Sequence, residues 1–377
     1  MNYQLLAAQK EWAETTYEKM RSKLHAECLR MGGKIPNIPV DGVYPDNGSA
    51  DLCDWVNGFW GGLMWQMYHA THETLYREAA LRLEERLDGA FDAFSGLHHD
   101  VGFMWLHTAV AHDRIEPDAR AKTRGLHAAT LLAGRYNPNG EYLSAWNENR
   151  PGWMIIDSMM NVPLLYWATQ ETGDPRYEAI ALRHVETLMR LLVRGDGSVH
   201  HIAVVDPASG ELMDYPEGQG YASGSSWSRG QAWAVYGFAI SYRHQKDVRY
   251  LETAKAAAHY FLSNVAQTGY VPLVDFRAPA NPVEWDSTAA VCAACGMLEI
   301  SHHVPEHEKA LYIQGALNLL QAVTEKFADW DETRDGVLGG GTVAYHRQEG
   351  KNVPIIYGDY FLLEALLRLL DKDIFIW

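Results

Sequence analysis

Two helical patterns alternate along this chain, and few folds accept both. In one, apolar residues keep a three-four spacing that marks a single buried face: Tyr177, Ile180, Ala181, His184, Val185, Leu188, Leu191 and Leu192, and again Leu251, Ala254, Ala258, Phe261, Leu262 and Val265. In the other, the residues are apolar nearly all round and often small, over 58–69, 101–111, 157–169, 231–241, 288–301 and 360–370. A helix that is apolar on every side has to be surrounded by protein. The pattern gives about twelve helical stretches in roughly six inner–outer pairs.

Outer stretches share an opening: Leu75-Tyr76-Arg77-Glu78-Ala79-Ala80, Arg176-Tyr177-Glu178-Ala179-Ile180-Ala181 and Arg249-Tyr250-Leu251-Glu252-Thr253-Ala254. The hinge Thr172-Gly173-Asp174-Pro175 reads as a glycine ending one helix, an acid capping the next and a proline in its first turn. Inner-to-outer turns are therefore short, whereas the outer-to-inner connections are long and carry the chemically unusual residues. If the pairs close into a ring, those connections share one face and the inner helices aim their N-termini at it. The expectation is an all-α chain, an (α/α)6 toroid of six inner and six outer helices, forming one catalytic domain over 1–377. Short alternating runs at 201–205 and 270–276 are then loop hairpins and not a sheet.

Composition narrows the function. A formal charge of -16 argues against nucleic acid or an anionic membrane as partner, since both rely on clustered Lys and Arg. No stretch reads as membrane-spanning and Met1-Asn2-Tyr3-Gln4-Leu5-Leu6 has no leader pattern, so a cytoplasmic protein is expected. Cys28, Cys53, Cys292 and Cys295 read as buried thiols, the last two on a small-residue helix face, and no spaced metal-ligand cluster is seen. No cofactor and no metal is expected. The 13 Trp and 20 Tyr exceed what a core needs, and such rings often line sites for the flat apolar faces of sugars.

Two acids stand out. Asp157 interrupts the apolar run Met154-Ile155-Ile156-Asp157-Ser158-Met159-Met160-Asn161-Val162-Pro163-Leu164-Leu165, and Asp100 opens another buried stretch in His98-His99-Asp100-Val101-Gly102-Phe103. Each reads either as a helix cap or as a functional carboxylate, because a charge taken out of water must be paired or neutralised. Two acids at matching ends of like helices can converge.

Five segments, in order, resemble the unsaturated glucuronyl hydrolases of glycoside hydrolase family 88: Asp54 to Trp60, His98 to Phe103, Met154 to Leu165, Gly224 to Trp233, and Gly358 to Leu366. That resemblance implies the substrate, an oligosaccharide ending in a 4,5-unsaturated uronate. It also implies the chemistry, hydration of the vinyl ether followed by collapse of a hemiketal. Asp157 matches the family's proton donor and water-activating base, and Asp100 the second acid. Trp55, His99, Trp146, His201, Gln219, Trp227, Arg229 and Trp233 match positions that bind the sugar, while His98 and His200 are neighbours. Asn57 stands where an acid is common, and Gly218 where a His often precedes the Gln. Arg347 and Lys351 lie before Gly358, where some relatives offer serines to a sulfated sugar. A monomer or weak homo-oligomer is expected.

Three other readings compete. The related family 105 acts on pectin fragments as an unsaturated rhamnogalacturonyl hydrolase. An N-acylglucosamine epimerase-like isomerase would use the paired histidines and leave Asp157 unexplained, and a non-catalytic carbohydrate binder would tolerate loss of either acid.

Overall fold

The two helix patterns become two concentric rings. The computed structural model describes residues 3, 5–147 and 150–377, so Met1, Asn2 and Gln4 of the N-terminal run and two residues of the 146–157 connection lie outside them. Outer α1 (Ala7–Met31) is followed by inner α2 (Phe59–Thr71), outer α3 (Thr74–Asp92), inner α4 (residues 101–115) and outer α5 (Ala119–Ala133). Then come inner α6 (Pro163–Thr172), outer α7 (Pro175–Leu192), inner α8 (Ser228–Gln245), outer α9 (Val248–Val265), inner α10 (Ser287–Ser301), outer α11 (Glu306–Phe327) and inner α12 (Ile356–Leu369). Inner helices pack on their ring neighbours until α12 meets α2, and α1 covers the seam against α12 and α3. This is an (α/α)6 toroid.

Burial follows the sequence pattern. Every residue of α10 and of α12 is buried, whereas α9 buries one stripe: Tyr250, Leu251, Ala254, Ala257, Ala258, Phe261 and Val265. The hinge after α6 is built as its residues suggest, with Gly173 at φ 71°, Asp174 Oδ1 accepting the Arg176 N–H at 2.9 Å and Pro175 in the first turn of α7. All four cysteines are free and buried. Trp377 is wholly buried against Phe361, its ring 6.0 Å away and parallel within 4°, and its indole donates to Glu364 at 3.0 Å. No helix among the described residues is long and apolar enough to cross a membrane.

Two expectations need correction, and one expected helix carries an irregular turn. The inner stretch expected over 157–169 does not begin as an α-helix: Ile156–Met160 is a 3-10 turn, and α6 starts at Pro163. Inside a helix the Pro163 ring would clash with the Met159 carbonyl, so the proline can only open a new one. In α4 the middle turn Leu106–Val110 is π-helical. There His107 Nδ1 lies 2.6 Å from the Phe103 carbonyl and Thr108 Oγ1 donates to the Met104 carbonyl at 2.7 Å, drawing acceptors away from the regular ladder. Residues 201–205 do join a sheet: β3 (Trp153–Ile155), β4 (Ile202–Val205) and β5 (Leu212–Asp214) form an antiparallel ribbon after a short pair, β1 (Tyr136–Asn137) and β2 (Tyr142–Leu143). Ile155 and Ile202 pair across it and bury a small cluster with Ala145, which anchors the register.

The connection before α12 is clamped by buried acids. Asp359 accepts the Leu338 N–H on Oδ1 at 2.7 Å, and the Val337 N–H and Tyr44 hydroxyl on Oδ2 at 3.0 and 3.3 Å. Glu27 accepts the Gly336 N–H at 2.8 Å. Burial pushes the Asp359 carboxyl up to about 6 despite these donors. Its folded value lies above its unfolded one, so proton uptake stabilises the fold fully below about pH 4, and that contribution is lost as pH rises through about 6. Asp359→Asn removes the titration. In urea denaturation at about pH 4 and about pH 7, the gap between wild type and variant should move toward the variant by about 2 kcal/mol as pH rises. A gap that stays constant would remove Asp359 as the titrating group.

Candidate active site

The β3–β4 pairing delivers the first acid. Ile156 N donates to the His201 carbonyl at 3.0 Å, so the 3-10 turn carrying Asp157 leaves the sheet beside His201. Asp157 Oδ1 lies 3.2 Å from His201 Nε2. The other nitrogen, Nδ1, accepts the Gln219 N–H at 3.0 Å, which fixes the tautomer: a neutral ring carries its proton on Nε2, facing the carboxylate. The imidazole packs on Trp227 with ring centres 4.3 Å apart. Beneath the turn, Ser158 Oγ donates to the Ile155 carbonyl at 2.6 Å and lies 2.7 Å from His184 Nε2. Burial pushes His184 down to about 3, so it acts as a neutral strut.

The second acid sits at the head of α4. Asp100 makes no cap bond with its own helix. Its Oδ1 accepts from Asn161 Nδ2 at 2.8 Å, and its Oδ2 lies 3.3 Å from His99 Nε2 and 3.4 Å from His98 Nδ1. Burial pushes this carboxyl up, but the two imidazoles and the Asn161 amide outweigh it and hold the group below the ordinary range. His98 is pushed down to about 4 by burial, with Asp100 opposing. Asp100 is therefore an anion beside a neutral His98 at neutral pH. Asp54, which caps the Trp55–Gly58 turn, is pushed up by burial, and the Asp51 and Asp100 charges add to that.

His98, His99 and Asp100 place three ligand atoms within 4.8 Å of one another. The sequence expectation concerned spaced ligands, whereas here a turn brings three consecutive residues to one point. This is where a divalent ion could be held.

The remaining predicted residues divide into wall and support. Trp55 stacks on Tyr357 with ring centres 5.1 Å apart and 27° between planes. Trp146 pairs with Trp153 at 5.7 Å, and the Arg150 guanidinium lies over both rings. Trp146 reaches the acids through its neighbour Ala145, whose carbonyl accepts the His99 N–H at 3.2 Å. Trp233 is 0% exposed and packs on Phe103 and Phe361, so it forms floor beneath the site. Arg229 is only 1% exposed. It is ion-paired with Asp286, donates to the carbonyls of Thr342 and Val343 at 2.8 and 2.7 Å, and lies over Trp227 and Tyr357 at 4.6 and 5.3 Å. Gln219 Nε2 donates to the same Val343 carbonyl at 2.8 Å. Both residues bolt the 342–343 backbone to the site.

Asn57 does not meet the ring-binding face. Its amide donates to the Asp51 and Leu52 carbonyls at 2.9 and 3.1 Å and accepts from Asn47 at 2.8 Å, holding the preceding loop. Residues missed by the sequence reading are Asn161, Tyr357, Asp286 and His184. Only Asn161 left a signal, standing four places after Asp157 in the same apolar run. As a whole the site holds one buried carboxylate, Asp100, that accepts from the Asn161 amide with two imidazole nitrogens within 3.4 Å, and a second, Asp157, with the His201 ring 3.2 Å away.

Comparison with known proteins agrees on one family. The Glycosyl Hydrolase Family 88 profile matches residues 30–275. The unsaturated glucuronyl hydrolase of Bacillus sp. (strain GL1) is 38% identical over 85% of this chain and 87% of its own. The unsaturated chondroitin disaccharide hydrolase of Streptococcus pneumoniae (strain ATCC BAA-255 / R6) is 33% identical over 87% and 84%. A structure of a mutant unsaturated glucuronyl hydrolase from Streptococcus agalactiae, complexed with dGlcA-GalNAc6S, superposes with a TM-score of 0.84 at 28% identity, covering 100% of this chain and 95% of that one.

Gly218 has a physical reason to be a glycine. Its φ is +62°, and a Cβ there would stand 2.1 Å from His201 Nδ1. Gly218→Ala should push His201 away from both Gln219 N and Asp157, lowering kcat by about 10- to 100-fold with a smaller change in stability. Steady-state kinetics beside a thermal melt checks this, and an unchanged kcat would show that His201 does not need this contact.

Proposed function

The chain belongs to glycoside hydrolase family 88, and from that premise we propose that it removes a 4,5-unsaturated uronate from the non-reducing end of lyase-generated oligosaccharides. Asp157 delivers a proton to carbon 4 of the vinyl ether. The resulting carboxylate takes a proton from water as the oxygen adds to carbon 5, and the hemiketal opens to release the neighbouring sugar. Asp157 ends as it began, so one residue serves as acid and then base. His201, with its proton on Nε2, steadies the carboxylate in the interval. Asp100 remains the anion of the pair, accepting from sugar hydroxyls, and Trp55 and Trp146 offer faces to the rings, while Trp227, 2% exposed, packs against His201 and Arg229 and supports the wall. The observation that carries this reading is the contrast between the two buried acids: Asp100 accepts from the Asn161 amide and has two imidazole nitrogens within 3.4 Å, whereas Asp157 has one imidazole nitrogen 3.2 Å away.

The protein works alone on this substrate, as a single catalytic domain and a monomer or weak homo-oligomer in the cytoplasm, without nucleic acid. The formal charge of -16 supports that restriction. Glycosaminoglycan disaccharides such as those from chondroitin are the favoured class, in line with what the relatives' names state. Lys351, in the loop before Gly358, offers a cation to a sulfated neighbour sugar, although its ammonium is already held by Glu284 at 2.9 Å. An anion there would share the cation with Glu284, while Arg347 is exposed.

Two experiments test the proposal. Asp157→Asn keeps shape and removes the proton, so kcat should fall by about 100- to 10,000-fold with KM within a few fold, and Asp100→Asn should also be severely impaired. Near-normal turnover by the purified Asp157→Asn variant would end the assignment. Loss of the conjugated uronate's ultraviolet absorbance, measured on a panel of lyase products, identifies the substrate. Chondroitin-type disaccharides should react faster than rhamnogalacturonyl ones, and Lys351→Ala should slow sulfated substrates more than unsulfated ones. A clear preference for the pectin-derived disaccharide would move the chain to the competing substrate class.

A further inference from the structure

We propose that Asn161 is the positioning residue that fixes the two acids relative to each other, by hydrogen-bonding Asp100 from the segment that carries Asp157. The inference rests on the reading of these two acids as the reacting pair. Asn161 is 0% exposed and lies in the bend between the 3-10 turn and α6. Its Oδ1 accepts the Phe103 N–H at 2.8 Å, which settles the orientation of the amide. The Nδ2 hydrogens are then left for Asp100 Oδ1 at 2.8 Å and the Asp157 backbone carbonyl at 3.3 Å. One side chain therefore ties the start of α4, the Asp100 carboxylate and the Asp157 turn together.

The backbone is shaped to permit this. A Cβ at Gly102 would stand 2.5 Å from both Asn161 Cα and Asn161 Oδ1, so the two segments meet in direct contact only because residue 102 has no side chain. Asn161 makes no cap bond for α6, whose N-cap is Val162. A buried amide with every group satisfied at this point orients its partners, since an apolar side chain could fill the space without the desolvation cost. Other groups bear on Asp100, namely His98 and His99 from its own turn and the charges of Arg135 and Asp54 nearby. Asn161 alone of these belongs to the Asp157 segment.

Asn161→Asp keeps the acceptor for the Phe103 N–H and replaces the donor facing Asp100 with a second acceptor. With an unsaturated chondroitin disaccharide, kcat should fall by about 10- to 100-fold while KM stays within roughly threefold. The melting temperature should fall by roughly 2–5 °C. In an Asp100→Asn background the same change should shift the melting temperature much less, because the amide introduced at position 100 can donate to the carboxylate introduced at position 161 and the hydrogen bond is kept with its roles exchanged, while activity stays low. Asn161→Ala, which removes the donor without adding charge, should give the same kcat-selective loss. Wild-type kcat in Asn161→Asp, a loss confined to KM, or equal melting shifts in both backgrounds would overturn the proposal. The melting cycle involves no substrate, so it tests Asn161 even if wild-type protein hydrates no unsaturated uronate, which is the separate failure of the parent reading.

Discussion

Charge taken out of water at the mouth of an apolar ring is the constraint on which the rest of this structure depends. The inner helices are dry on all sides, so any ionised group at their N-terminal ends must find donors or counter-charges in the connections above them. The long outer-to-inner connections supply these. Asp100 draws on His98, His99 and Asn161. Arg229 draws on Asp286 and two carbonyls, and Asp359 on two backbone amides and Tyr44. Several of these partners, Asn161 for Asp100, Asp286 and residues 342–343 for Arg229, and Tyr44 for Asp359, come from other connections, so satisfying the charges also fastens the loops to one another. The Val343 carbonyl shows how: it receives both Gln219 and Arg229, which ties their segment to a loop more than a hundred residues away.

Helical periodicity carried most of the fold. Patterns that bury one stripe or every face distinguish outer from inner helices directly, and the hinge Gly173-Asp174-Pro175 is local chemistry that needs no partner to be read. Where the reading failed, the deciding contact was distant or the motif compact. Residues 201–205 pair with Trp153–Ile155, a partner about fifty places away that alternation alone does not name. At 157 the apolar run looked continuous, yet Pro163 dictates a break that an inspection for hydrophobic spacing passes over.

The site was legible to different depths for related reasons. Asp157 and Asp100 announced themselves because a carboxylate in an apolar run is conspicuous. Asn161 is less so, since a buried amide carries no charge to explain, and Tyr357 and Asp286 look like an ordinary aromatic and an ordinary cap. Arg229 was found, but its surroundings were not. Its neighbours Trp227 and Trp233 suggest an open binding face, whereas the chain folds the 342–343 backbone and Asp286 against the guanidinium and leaves it 1% exposed.

That arrangement bears on how an acidic protein handles an acidic sugar. The cations that bear on the two acids are already engaged, Arg229 by Asp286 and Arg135 by the carbonyls of Ser144 and Trp146, and Lys351 is likewise held by Glu284. His98 and His200 are each pushed down to about 4 by burial and are neutral at neutral pH. Long-range attraction therefore contributes little, and recognition falls to short-range contacts, with indole and phenol faces for the ring and neutral N–H groups for its oxygens. Discrimination then rests on the chemistry itself. A saturated uronate of the same shape and charge has no double bond at carbon 4 to take up a proton, so the ring contacts alone need not tell the two apart.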